Sequence, residues 1–104
     1  MFVRTMKIDH THNLTDEEAY ERINSLLSDL QKQYSDSIKN LLTEWNPSRS
    51  QMDFSMEIMK FAINGVVYLS NSQVTLDAKI PLMARPFSGR IESIIRQELK
   101  NKLS

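Results

Sequence analysis

From Asp53 to Ile80 apolar and polar residues alternate, and a helical pattern flanks that stretch on each side. Phe54, Met56 and Ile58 interleave with Asp53, Ser55 and Glu57, as in a strand with one buried and one wet face. The phase then flips to Met59, Phe61 and Ile63, which predicts a bulge near Lys60. Asn64-Gly65 reads as a hairpin turn, because both residues tolerate positive φ. Val66 to Leu69 returns, and Asn71-Ser72 turns again. Val74, Leu76, Ala78 and Ile80 then alternate with Thr75, Asp77 and Lys79. A meander of this kind has one apolar face, which must be covered by other elements of the chain.

The cover is legible on both sides. Thr15-Asp16-Glu17-Glu18 is a capping box: the Thr15 hydroxyl accepts from the Glu18 N–H, and the Glu18 carboxylate reaches back to the Thr15 N–H. Ala19, Ile23, Leu26, Leu27, Leu30 and Tyr34 follow at helical spacing. The end of this helix is open between Tyr34 and Leu42, since Ser35-Asp36-Ser37 breaks the pattern while Ile38, Leu41 and Leu42 continue it. A second helix begins near Ser88 and presents Ile91, Ile94, Ile95, Leu99 and Leu103 on one stripe. Phe2 to Ile8 and Leu42 to Trp45 read as strands, and Asn46-Pro47-Ser48-Arg49-Ser50 as a turn. The expected fold is α+β: an antiparallel four- or five-stranded sheet covered on one face by two helices, in the order β-α-β-β-β-β-α.

With 104 residues, the expectation is a single domain over 1–104. Lys+Arg and Asp+Glu each number 13, and zero net charge argues against a nucleic-acid binder, which needs a cationic excess. The charges are segregated, acidic residues prevailing up to Met59 and basic ones beyond it. The two parts attract each other within one fold or leave one face mildly basic. The chain has no cysteine, which excludes disulfides, thiolate metal sites and cysteine nucleophiles. No apolar run approaches the ~20 residues of a membrane span, and Met1 to His10 holds none long enough for a signal peptide. The expected location is cytoplasmic.

Candidate functional residues are few, and each has a structural alternative. His10 and His12 are the only histidines. They form a metal pair or cap a strand-to-helix junction, and with no third ligand in view no metal is assigned. Arg85 and Arg90 hold a carboxylate or phosphate, or pair with acids of the first half. Trp45, Tyr68 and Phe87 line an apolar pocket, or fill the core. The C-terminal helix lies on a granule or lipid surface, or covers the sheet. There is no nucleophile motif, no Gly-rich phosphate loop and no carboxylate pair at a defined spacing. No catalytic residue and no cofactor are therefore assigned, and the reading leans away from an enzyme.

Beyond these patterns, Ile8, His12-Asn13-Leu14, Ala19, Trp45, Phe54, Gly65 and the Val74 to Ile80 strand form a familiar series. It ends in Leu82 and the run Arg85-Pro86-Phe87-Ser88-Gly89-Arg90-Ile91-Glu92. In these residues the chain resembles the polyhydroxyalkanoic acid system proteins, a small bacterial family encoded near genes for granule-forming polyesters. The resemblance spans nearly the whole chain and is most specific in the last stretch. It implies a non-enzymatic accessory role in polyester storage, with a granule surface or granule protein as partner, and it brings no catalytic residues. The alternative is a small carrier or enzyme with an apolar pocket between sheet and helices. Small size and a bare outer sheet face also suggest a homodimer.

Overall fold

The computed structural model describes residues 3–103; Phe2, the expected start of the first strand, lies outside them. Strand β1 (Val3–Thr11) leads to helix α1 (Asp16–Gln33). Strands β2 (Ile38–Trp45), β3 (Gln51–Ile58), β4 (Phe61–Ser70) and β5 (Gln73–Pro81) follow as a meander. A 3₁₀ turn (Leu82–Phe87) then feeds helix α2 (Ser88–Leu103). The five strands form one antiparallel sheet in the order β1-β5-β4-β3-β2. The α+β class and the order of elements are as expected from the sequence.

Both helices cover the same sheet face. Ile23, Leu26, Leu27 and Leu30 of α1 and Ile91, Ile95, Leu99 and Leu103 of α2 share one buried cluster with the inward residues of the strands. The helices touch each other as well. Lys102 pairs with Asp29, Arg22 Nη1 donates to the Lys102 carbonyl at 2.9 Å, and Gln33 Nε2 donates to the buried Glu98 carboxylate at 3.2 Å. The acidic and basic parts of the chain thus meet along the α1–α2 seam.

Local chemistry accounts for each helix boundary. Thr15 caps α1 as a full capping box: its hydroxyl accepts from the Glu18 N–H at 3.1 Å, and Glu18 Oε1 accepts from the Thr15 N–H at 3.2 Å. The helix stops at Gln33. Tyr34 closes it by donating to the Leu30 carbonyl, and its side chain lies exposed, outside the apolar stripe. Ile38 belongs to β2 and is buried there; Leu42 faces the open side of the sheet and is 70% exposed. β2 is therefore longer than Leu42 to Trp45, and a bulge between Lys39 and Leu42, with Asn40 at φ 56°, shifts its register.

The predicted turn at Asn64-Gly65 is absent. Both residues lie inside β4, where Gly65 stands between Phe54 of β3 and Ala78 of β5. The reversal occurs at Met59-Lys60, where the sequence suggested a bulge. Ile58 pairs directly with Phe61, and the two loop residues have φ of 52° and 73°, as a type I′ connection requires. The phase flip in the sequence was the mark of this two-residue loop. Gly65 is needed for space. A Cβ there would stand 2.2 Å from the Asp77 carbonyl oxygen and 2.7 Å from Ala78 Cα, both backbone atoms of β5.

Three outcomes follow from this packing. Gly65→Ala must push β5 away, and overpacking of this kind costs about 1–3 kcal/mol. A melting temperature roughly 10 °C lower is expected, and an unchanged melt would remove the close approach as its cause. Met59→Asn with Lys60→Gly replaces two residues that resist positive φ. It is expected to raise stability by about 0.5–1 kcal/mol in urea titration; a loss would argue against the turn. The third outcome concerns pH. Hydrogen bonds from Thr15 hold the Glu18 carboxyl below its ordinary pKa, and the Lys102 hydrogen bond does the same for Asp29. Folding favours the ionised forms, so both contacts stabilise above the ordinary carboxylate range, about 4, and lose their effect as pH falls through the lowered folded values. The melting difference between wild type and a Glu18→Gln/Asp29→Asn variant is expected to be largest near neutrality and to vanish once the pH lies below the lowered folded values. A difference that persists in acid would show the contacts not to be ionic.

Candidate functional site

The β5–α2 corner carries three of the residues singled out in the sequence, Arg85, Phe87 and Arg90. Pro81 ends β5 with φ −57° and ψ 145°, and Pro86 lies inside the 3₁₀ turn. Ser88 Oγ donates to the Arg85 carbonyl at 2.9 Å, which joins the turn to α2. Ala84 is wholly buried and pins the turn to the core. Its neighbour Met83 is thrown outward and is 82% exposed, the most exposed large apolar residue of the described chain. Phe87 leans on Phe61, ring centroids 5.8 Å apart, yet keeps 43% of its surface in solvent. Arg85 and Arg90 are exposed beside them.

Neither arginine has an ion-pair partner among the described residues. The pairs present there are Glu92–Arg96 at 3.2 Å and Asp29–Lys102. The corner thus exposes two apolar side chains, Met83 and Phe87, and two arginines of the same stretch, Arg85 and Arg90. Arg85, Phe87 and Arg90 were singled out in the sequence. Met83 was not, because strand-to-helix corners show no periodicity. The signal that marks it is the step from the alternation ending at Ile80 to a tighter turn, which sends Ala84 in and Met83 out.

The other candidates lie elsewhere. Trp45 sits at the β2 edge under α1, its ring 4.7 Å from that of Tyr20 and its Nε1–H donating to Asn24 Oδ1 at 3.0 Å. The Arg49 guanidinium caps the same Tyr20 ring at 4.6 Å. Tyr68 is on the opposite sheet face, 43% exposed, beside an open depression of about 390 Å³ that also involves Asp53, Val66, Asp77 and Lys79. Trp45, Tyr68 and Phe87 therefore occupy three separate places. Surface depressions of about 160 to 480 Å³ occur among the described residues. None of these is a chamber enclosed by the sheet and both helices.

His12 is buried at the β1–α1 junction. Its Nδ1 accepts from the Leu14 N–H at 3.1 Å, and its backbone N–H donates to the Ser72 carbonyl. Its Nε2 has no partner among the described residues. His10 is half-buried. Among the described residues no three His, Asp or Glu side chains cluster as metal ligands. No helix of the described residues is long and apolar enough to cross a membrane.

The Ile91, Ile95, Leu99 and Leu103 stripe of α2 is spent on the sheet. Four buried aliphatic side chains represent roughly 6–12 kcal/mol of burial, comparable with the whole stability of a small domain. Peeling α2 away to lie on another surface would therefore unfold the chain. Any external apolar contact at this end must use the corner instead.

No curated protein matches the chain. A family model does match, over residues 6–103, a span that takes in β1 from Met6 onward, the other four strands, both helices and the corner. The chain belongs to the family described as "putative polyhydroxyalkanoic acid system protein".

Proposed function

We propose that this chain is a non-enzymatic accessory protein of polyhydroxyalkanoate storage, which docks on a granule surface or a granule protein through its β5–α2 corner. The observation that carries the reading is Met83, exposed by 82% beside a wholly buried Ala84. Its backbone belongs to the 3₁₀ turn beside the buried Ala84, so less ordering is required on contact than for an unanchored loop. Phe87 is the second exposed apolar side chain of the corner, and Arg85 and Arg90 supply donors for ester or carboxylate oxygens. Among the described residues the depressions noted above are open to solvent and none is an apolar chamber between sheet and helices, which weighs against a carrier. Family membership supports the polyester setting.

The test is co-sedimentation of the full chain with purified polyester granules, both native and stripped of protein. Met83→Asp changes a side chain that packs on little, so its melting temperature is expected to stay within a few degrees of wild type. Burial of a methionine is worth about 1.5–3 kcal/mol, so the variant is expected to pellet roughly tenfold less or worse. Binding that survives stripping places the contact on the polyester. Binding lost on stripping places it on a granule protein. A full chain that pellets with neither preparation, or a Met83→Asp chain that pellets like wild type, would overturn the corner as the docking site.

A further inference from the structure

The two edge strands of the sheet are built differently. In β2 the ladder is broken between Lys39 and Leu42, with Asn40 in the left-handed region. Such a bulge spoils the row of N–H and C=O groups that another strand would pair with. β1 has no such break. Its nine residues run in continuous register against β5, from Val3 opposite Pro81 to Thr11 opposite Gln73.

The hydrogen-bond pattern says which groups of β1 face outward. The His12 N–H donates to the Ser72 carbonyl at 2.8 Å, and bonding alternates along an antiparallel ladder. Met6, Ile8 and His10 therefore bond toward β5, while Thr5, Lys7, Asp9 and Thr11 turn their N–H and C=O groups to the open edge. Those four residues are exposed. Beside them lies a cleft of about 180 Å³, bounded by Thr5 to Lys7 and by Ser88 and Gly89 of α2. A Cβ on Gly89 would meet nothing within 4 Å.

We propose that β1 pairs antiparallel with β1 of a second copy of this chain, about a two-fold axis at Ile8. Outward-facing residues must pair with outward-facing residues, so a central axis passes through Lys7, Ile8 or Asp9. An axis at Lys7 sets two lysines opposite each other, and one at Asp9 sets two aspartates. Only the axis at Ile8 sets Lys7 of each copy opposite Asp9 of the other, with Thr5 opposite Thr11. Cross-strand pairs of opposite charge stabilise and like pairs destabilise, so the strand selects its own register. The two sheets then join as one, and the open ladder is closed.

Sedimentation equilibrium on the full chain is the test, with twice the 12.1 kDa of one copy expected. Lys7→Glu alone, or Asp9→Lys alone, places like charges in both symmetric pairs and is expected to raise the dissociation constant roughly tenfold or more. The combined Lys7→Glu/Asp9→Lys chain is expected to recover the dimer. Circular dichroism and melting on dilute samples separate folding from association. This matters because Lys7 also lies opposite Asp77 within the chain, and Asp9 accepts from Thr75 Oγ1. Lys7→Gln removes the charge without adding repulsion and serves where a reversal fails to fold. A monomer at all concentrations overturns the proposal. So does a dimer indifferent to the single changes, or one that the double change fails to restore.

Discussion

The approach of β5 to Gly65 is the contact on which the rest of this fold depends. At Gly65 a Cβ would run into the backbone of β5 on the side that faces the core, and glycine is the residue that fits there. Phe54 and Ala78 flank it on the neighbouring strands. A large ring on one side and a methyl on the other fill the space that a residue at 65 would have used. α2 lies against β1 at one edge of the sheet, and α1 lies against β2 and β4. Close pairing of β3, β4 and β5 at this point keeps one continuous apolar face for both helices to cover.

That shape also decides which surfaces remain for function. The apolar stripes of both helices are consumed by the sheet. The outer sheet face is mainly polar, with Tyr68 and Leu42 as its exposed apolar members. What is left is small: Met83 and Phe87 exposed at the corner with two arginines, and the open ladder of β1.

Local chemistry was legible in the sequence, and non-local chemistry was not. The Thr15–Glu18 box, the α2 stripe and the Val74 to Ile80 alternation concern residues within a few positions of each other, and each stands where it was read. The β3–β4 turn was misplaced because its two residues, Met59 and Lys60, are poor formers of positive φ. A better-looking Asn64-Gly65 lay nearby, and its glycine serves a strand three-dimensionally adjacent but twelve positions or more away in sequence. The end of α1 was ambiguous because Ile38 is apolar in either reading, and only pairing with Ile58 assigns it to β2. Of the candidate site, Arg85, Phe87 and Arg90 were found in the sequence. Trp45 and Tyr68 were also singled out, but nothing in a linear pattern tells which face of a sheet an aromatic residue occupies.

The position of β1 in the strand order sets the order of assembly. β2 to β5 pair with neighbours in sequence, so they zip through short loops. β1 pairs with β5, the last strand of the meander, and that closure must gather almost the whole chain. During synthesis β1 is made first and its place in the sheet is made last. Until β5 arrives, the strand has both of its edges unsatisfied and its Met6 and Ile8 side chains in water. The early part of the chain is therefore the part most in need of shelter while the protein is being built, and the acidic helix that follows it is the nearest element able to keep it soluble.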